Sequence, residues 1–171
     1  MKNKLSIYYG VAAGVGTILF MMAFWAFRKE LLFDTKVYYG SLWVTVLCMW
    51  IMGNKLLSDP EVNFSILLKN LFALFVISEI LYFSWYFYLV NYVDTQLLDV
   101  QKMQMISYLQ ELKEKTTDIS EAQQFNQSIL ELEKNGLPEV SLQSVLLQLG
   151  RGIIGGFVLS YLLTLLIIRR K

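Results

Sequence analysis

Residues 70–93 read NLFALFVISEILYFSWYFYLVNYV, a run between Lys69 and Asp94 whose one charge is Glu79. An α-helix rises about 1.5 Å per residue, so a run of this length reaches across a hydrocarbon core of about 30 Å. Its apolar residues are continuous rather than alternating, the pattern of a spanning helix and not of a barrel strand. Working outward, three more runs share the property: Leu5–Phe27, Val37–Asn54 between Lys36 and Lys55, and Leu146–Ile168 with Arg151 near its start. Lipid offers no partner to backbone N–H and C=O groups, so such runs must close their hydrogen bonds as helices. Composition agrees. Charged residues are 17% and hydrophobic residues 56%, where soluble domains carry about 25% charged. The sequence therefore predicts an all-α integral membrane protein, one membrane domain over 1–171 with four transmembrane helices. The first run begins after Lys2 and Lys4 like a signal peptide. It is longer than an h-region of about 7–15 residues, and Ala23 and Ala26 lack the A-x-A spacing, so it is expected to stay as an uncleaved span.

The segment 94–140 is too long for a bare connection. From Glu61 to Asn135 there is no Gly and no Pro, whereas Asn135-Gly136-Leu137-Pro138 is a helix stop. Leu98, Met105, Ile106, Leu109 and Leu112 recur at helical spacing, which predicts that the third span runs on as a helix beyond the membrane. Thr116-Thr117-Asp118 signals a break, and Asp118 with Glu121 has capping-box spacing. Ile119, Ala122, Phe125, Ile129, Leu130 and Leu132 then stripe a second helix. The expectation is an extracytoplasmic amphipathic hairpin between the third and fourth spans. Lysine and arginine set the orientation. Lys2, Lys4, Lys55, Lys69, Arg169, Arg170 and Lys171 fall on one side, against Arg28, Lys29 and Lys36 close to the spans on the other. The hairpin segment carries four lysines and nine acids. Both termini are expected in the cytoplasm, with Arg28 and Lys29 opposing.

Several chemistries are excluded. With no histidine and one cysteine, Cys48, the chain has neither the commonest general base nor a disulfide or thiolate metal site. No catalytic residue, cofactor or metal is implied, and a net charge of +1 suggests no nucleic-acid partner. Cys48 inside the second span is read as an inert thiol. Asn63-Phe64-Ser65 and Asn126-Gln127-Ser128 match the glycosylation triplet, which matters only in a eukaryotic secretory pathway.

Three features remain. Glu79 costs a few kcal/mol facing lipid, so it must face the bundle or take a proton. It is either a proton or cation site, a polar lock on another helix, or a neutral acid bonded to a nearby Ser or Tyr. Arg151 is the obvious counter-charge, although helix rise sets the two about 10–15 Å apart in depth, and Arg151 can instead snorkel outward. The second feature, Gly150-Arg151-Gly152-Ile153-Ile154-Gly155, matches G-x-G-x-x-G, but no strand precedes it, so a dinucleotide site is rejected. Gly152, Gly156, Ser160 and Thr164 form a better-founded ladder of small residues on one helix face, and Ser6, Gly10 and Gly14 form another in the first span. The expectation is that these two ladders pack on each other, with homodimerisation as the alternative. Third, Tyr82, Phe83, Trp85, Tyr86, Phe87, Tyr88 and Tyr92 crowd the outer half of the third span. They read as an aromatic belt at the headgroup level, or as a lipid or polyprenyl groove.

The order of spans resembles a family of small bacterial four-span proteins known as domain of unknown function four-one-nine-nine. The likeness is carried by Tyr9-Gly10-Val11-Ala12-Ala13-Gly14, by Met52-Gly53-Asn54-Lys55, by Phe64-Ser65-Ile66-Leu67-Leu68-Lys69-Asn70, by Tyr92-Val93-Asp94 before a helical insert, and by the Gly-rich last span ending in Ile167-Ile168-Arg169-Arg170-Lys171. It implies a bacterial inner membrane, no established activity and no catalytic residue to carry over. It also implies association with envelope enzymes such as membrane glycosyltransferases.

Three function classes follow. The leading one is a non-enzymatic accessory or scaffold subunit that binds an envelope partner through 94–140. The second is an oligomeric transporter or channel built around Glu79, since four spans alone rarely enclose a pore. The third is an enzyme on a lipid-linked substrate, for which Asp94, Asp99 and the outer aromatics are the only place to look.

Overall fold

The computed structural model describes residues 2–137 and 140–169, with side chains from Lys4 onward. Pro138, Glu139, Arg170, Lys171 and the Lys2 side chain, used above for the helix stop and the charge balance, lie outside the described residues. Every regular element among the described residues is helical. The helices are α1 (Lys2–Phe27), α2 (Thr35–Leu57), α3 (Phe64–Tyr88), α4 (Leu97–Lys115), α5 (Ile119–Asn135) and α6 (Leu142–Ile168). A 3-10 turn, Lys29–Leu31, joins α1 to α2, and α3 runs into a π-helical turn over Leu89–Val93. Four of the helices, α1, α2, α3 with its π turn, and α6, are long and apolar enough to cross a membrane.

These helices begin earlier than the uncharged runs. α2 takes in Lys36 and Lys55, α3 starts at Phe64 rather than Asn70, and α6 at Leu142 rather than Leu146. Caps set the starts. The Asp34 carboxylate accepts from the Lys36 N–H at 2.7 Å, Asn63 Oδ1 from Ile66 at 2.9 Å, and Ser141 Oγ from Ser144 at 3.1 Å. A capped first turn satisfies orphan donors, and lysine is a good helix former, so charge does not end a helix.

α3 is the centre of the bundle. It packs along α1 and along α6, while α2 leans on all three. The two ladders therefore do not mate as expected, because both press on α3. Gly10 abuts Ile77 and the Leu74 carbonyl, Gly14 abuts Leu81, and the Ser6 hydroxyl donates to Asn70 Oδ1 at 3.1 Å. From the other side Gly152 abuts Glu79 and Phe83, and Gly156 abuts Phe75. A Cβ at Gly156 would stand 2.0 Å from Phe75 Cε1, so only glycine admits that ring. Ser160 and Thr164 are buried and donate to the carbonyls four residues back, Gly156 and Ser160, both at 2.7 Å. Small residues permit close approach to any partner. Here the partner is a helix that supplies large side chains to fill the notches, a complementarity that two glycine ladders lack.

Met49, Met52, Leu67, Leu71, Leu74 and Ile167 are completely enclosed and fill one end of the bundle. Much of the outer surface is apolar: Tyr8, Leu19, Trp43, Leu47, Ile51, Ile154, Leu162 and Leu166 are all exposed.

α3 does not continue into α4. The π turn ends at Asp94, whose backbone leaves the helical region (φ −143°, ψ 82°), and α4 starts afresh at Leu97. The Asp94 side chain explains the break: it is 9% exposed, accepts from Trp25 Nε1 at 3.0 Å and pairs with Lys29, so the chain must turn to bring it to α1 and its loop. α4 and α5 lie against each other. Lys102 Nζ donates to the Glu133 carbonyl at 3.2 Å, and Lys113 Nζ to Asn126 Oδ1 at 2.8 Å. Ile106, Leu109, Leu112, Ala122, Phe125 and Leu132 are partly covered and Ile129 is buried, but Met105, Ile119 and Leu130 of the expected stripes are exposed. The capping box forms only in half. Asp118 caps α5 by accepting from Ser120 N–H, but Glu121 accepts from the Thr116 hydroxyl instead of the Asp118 N–H. α5 ends at Gly136, the one described residue with positive φ (72°), a conformation glycine adopts without a Cβ penalty.

Candidate functional site

Within the apolar bundle one region is polar. α2 brings Tyr38, Ser41 and Thr45 to its inward face at spacings of three and four, and α3 brings Ser78, Glu79 and Tyr82 to meet them. Thr45 bonds Ser78 (3.2 Å) and Thr17 of α1 (3.4 Å), hydroxyl to hydroxyl, and Ser41 donates to the Tyr38 carbonyl (2.7 Å). These bonds tie three helices with groups that could not be left bare inside a bundle. The space left among them is about 10 Å³, room for at most one water.

On the other side of Glu79 the bundle opens. A cavity of about 610 Å³ lies between α2, α3 and α6, with Gln101 of α4, Gln148 and Arg151 of α6, and Tyr38 among its walls. Glu79 is half-buried, and it enters no hydrogen bond or ion pair among the described residues. No buried side-chain oxygen among those residues lacks a partner, so the unpartnered Glu79 oxygens are open to the cavity. Arg151 is exposed at its rim and is likewise unpaired among the described residues. The structure corrects the expected offset in depth between these two. Gly152, next to Arg151, has its Cβ position 3.3 Å from Glu79 Oε2, so the Arg151 backbone lies within one residue's rise of the Glu79 carboxylate. Helix rise alone missed this because α6 starts four positions early and its register is set by Phe75 against Gly156.

The aromatic residues divide. Tyr82 and Tyr86 stack at 6.4 Å between centroids and face the cavity with Phe83, whereas Tyr88 and Tyr92 stack at 5.8 Å on the exposed surface. A second, apolar hollow of about 650 Å³ runs between α2 and α6. It is bounded by Trp43, Leu47, Trp50 and Leu166 and shares Leu42 and Leu159 with the polar cavity as a common wall, so the two adjoin.

Asp94 lies apart from this cavity. The Lys29 ammonium bonded to it, helped by Trp25, holds its carboxyl below the ordinary value of 3.8. Asp99 is exposed on α4. Among the described residues no three His, Cys, Asp or Glu side chains gather as a metal site would require.

Glu79 and Arg151 are thus brought to one cavity, and Gly152 and Gly156 form part of its wall. Ser6, Gly10, Gly14, Ser160 and Thr164 serve helix contacts elsewhere. The sequence reading passed over Tyr38, Gln101 and Gln148 at the cavity, and Trp25 at Asp94. The spacing Tyr38-Ser41-Thr45, a polar stripe inside an apolar run, was a usable signal. Gln101 and Gln148 carried none, since each is one of many glutamines. No family model, no curated protein and no solved structure matches the chain.

Proposed function

We propose that the chain is a non-enzymatic multi-pass protein of a bacterial inner membrane, of the four-span family it resembles. Both termini are cytoplasmic, and α4 and α5 form an outer hairpin that docks an envelope partner. The exposed apolar ring on α1, α2, α3 and α6 supports the membrane placement, because soluble proteins rarely expose contiguous apolar surface on this scale.

The observation that carries the docking role is what the α4–α5 contact leaves over. Met103, Met105, Tyr108, Ile119 and Leu130 remain exposed after the two helices have packed. Methionine and tyrosine are adaptable, amphipathic contact residues. The Asp94 clamp holds the base of the hairpin to α1, so these side chains are presented on a fixed support.

The reading is tested by crosslinking and affinity capture from native membranes. Intact chain is compared with a variant carrying Met103→Ser, Tyr108→Ser, Ile119→Ser and Leu130→Ser. A specific partner captured by the first and lost with the second is the expected result, and capture unchanged by the four substitutions ends the docking role. A transporter built on Glu79 is the second reading, favoured by the open carboxylate. Against it, the hydroxyl knot of Thr17, Thr45 and Ser78 and the packed core beyond close the cavity at one end.

A further inference from the structure

We propose that the polar cavity between α2, α3 and α6 is by itself a binding site for an amphiphilic organic cation, a single positive charge carried on an aromatic or apolar body. The inference concerns binding at Glu79 and depends neither on what docks at the hairpin nor on transport.

The charges of the lining come first. Among the described residues around the cavity, Glu79 is the one acid and Arg151 the one base. They are not equivalent. Arg151 is exposed, so water hydrates its guanidinium and salt screens its field. Glu79 is half-buried and enters no hydrogen bond or ion pair among the described residues. The hydroxyls of Thr17, Thr45 and Ser78 bond one another and leave it alone. Its Oε2 lies 3.3 Å from the Cβ position of Gly152, so the carboxylate reaches toward α6, across the cavity. Its charge acts in the less polar surroundings of the two, where an opposite charge gains most. An anion entering the cavity finds its partner only at the hydrated rim and meets a carboxylate inside.

The rest of the lining selects the kind of cation. A metal ion needs a shell of oxygen ligands, and no group of acids that could supply one gathers here among the described residues. Phe33, Tyr38, Phe75, Tyr82, Phe83 and Tyr86 instead surround the carboxylate with rings. Aromatic rings offer dispersion to an apolar body and a favourable quadrupole to a cation. The volume of about 610 Å³ falls within the roughly 300–1,000 Å³ of sites for drug-sized molecules. α6 keeps that volume clear. Gly152 and Gly156 are taken up by Glu79 and Phe75, but Gly155 lines the cavity with no atom within 4 Å of its Cβ position. The space beside Gly155 is thus used by no side chain of the protein.

The test is equilibrium dialysis of the purified full chain in detergent against tetraphenylphosphonium, with tetraphenylborate as the probe of equal size and opposite charge. Empty micelles give the background for both. The expected result is saturable binding of one phosphonium per chain and no saturable binding of the borate. Glu79→Gln is expected to weaken phosphonium binding by about tenfold or more, the factor that one charged interaction is worth. Gly155→Leu removes no polar group and puts a side chain into the cavity. It is expected to weaken binding at least as much, while helicity by circular dichroism stays unchanged and so shows that the fold is kept. Absence of saturable phosphonium binding, borate bound as tightly as phosphonium, or binding unchanged by Glu79→Gln or by Gly155→Leu each overturns the site. Capture of a hairpin partner is read in a separate experiment and stands or falls without it.

Discussion

At the scale of single residues, two positions set geometry that nothing else supplies. Gly156 is where α6 admits the Phe75 ring, which is itself 4% exposed and has nowhere to go. Gly156→Ala is therefore predicted to destabilise the protein by about 1–3 kcal/mol through overpacking. Gly155→Ala, one position away but facing open space, should stay within about 0.5 kcal/mol. Thermal unfolding of the two variants in one detergent checks the contrast. Asp94 joins the end of α3 to Trp25 and Lys29. Its carboxyl is held below 3.8 chiefly by the Lys29 bond. A lowered folded pKa means that the contribution is full above the unfolded value and is lost as pH falls through the folded one. The melting temperature of the natural chain should therefore drop more steeply below about pH 4 than that of Asp94→Asn. At neutral pH the variant should be less stable by about 1 kcal/mol, discounted because Lys29 is half-exposed. Identical acid limbs for the two proteins would remove the clamp from the account.

At the scale of elements, the helices were legible and their relations were not. Periodicity and length located every span, since a long apolar run has no other solution in lipid. The ends were misplaced because lysines at 36, 55 and 69 were treated as borders, whereas the caps Asp34 and Asn63 decide the starts. The break between α3 and α4 was hidden for a related reason. No Gly or Pro marks it, and its cause is a carboxylate meeting an indole and an ammonium sixty-five and more positions earlier in the chain. The glycine ladders were visible, yet their partner was not, because a notch states only that something large fits it. Glu79 and Arg151 stand out in the sequence as charges in apolar runs, but that both line one cavity follows from the α3–α6 register.

At the scale of the whole molecule, the proposed orientation makes a simple prediction. In a Cys48→Ala background, a cysteine at Ser128 on the exposed face of α5 should react with a membrane-impermeant maleimide in intact cells. One at Glu61, between α2 and α3, should react only after the membrane is opened. The reverse pattern would invert the chain in the membrane and put α4 and α5 among cytoplasmic partners. Sequence by itself determined that there are four long apolar helices and a polar helical segment between the last two. Solvent preference and hydrogen-bond closure act on each run separately, so they can be read one run at a time. Tertiary structure alone decided that α3 is the hub, that Asp94 closes on Trp25 and Lys29, and that Glu79, Arg151, Tyr38 and Gln101 surround one cavity beside an apolar groove. Those outcomes depend on which surfaces meet and in what register, and that is settled by complementary shapes and pairwise hydrogen bonds between distant segments, which no local pattern encodes.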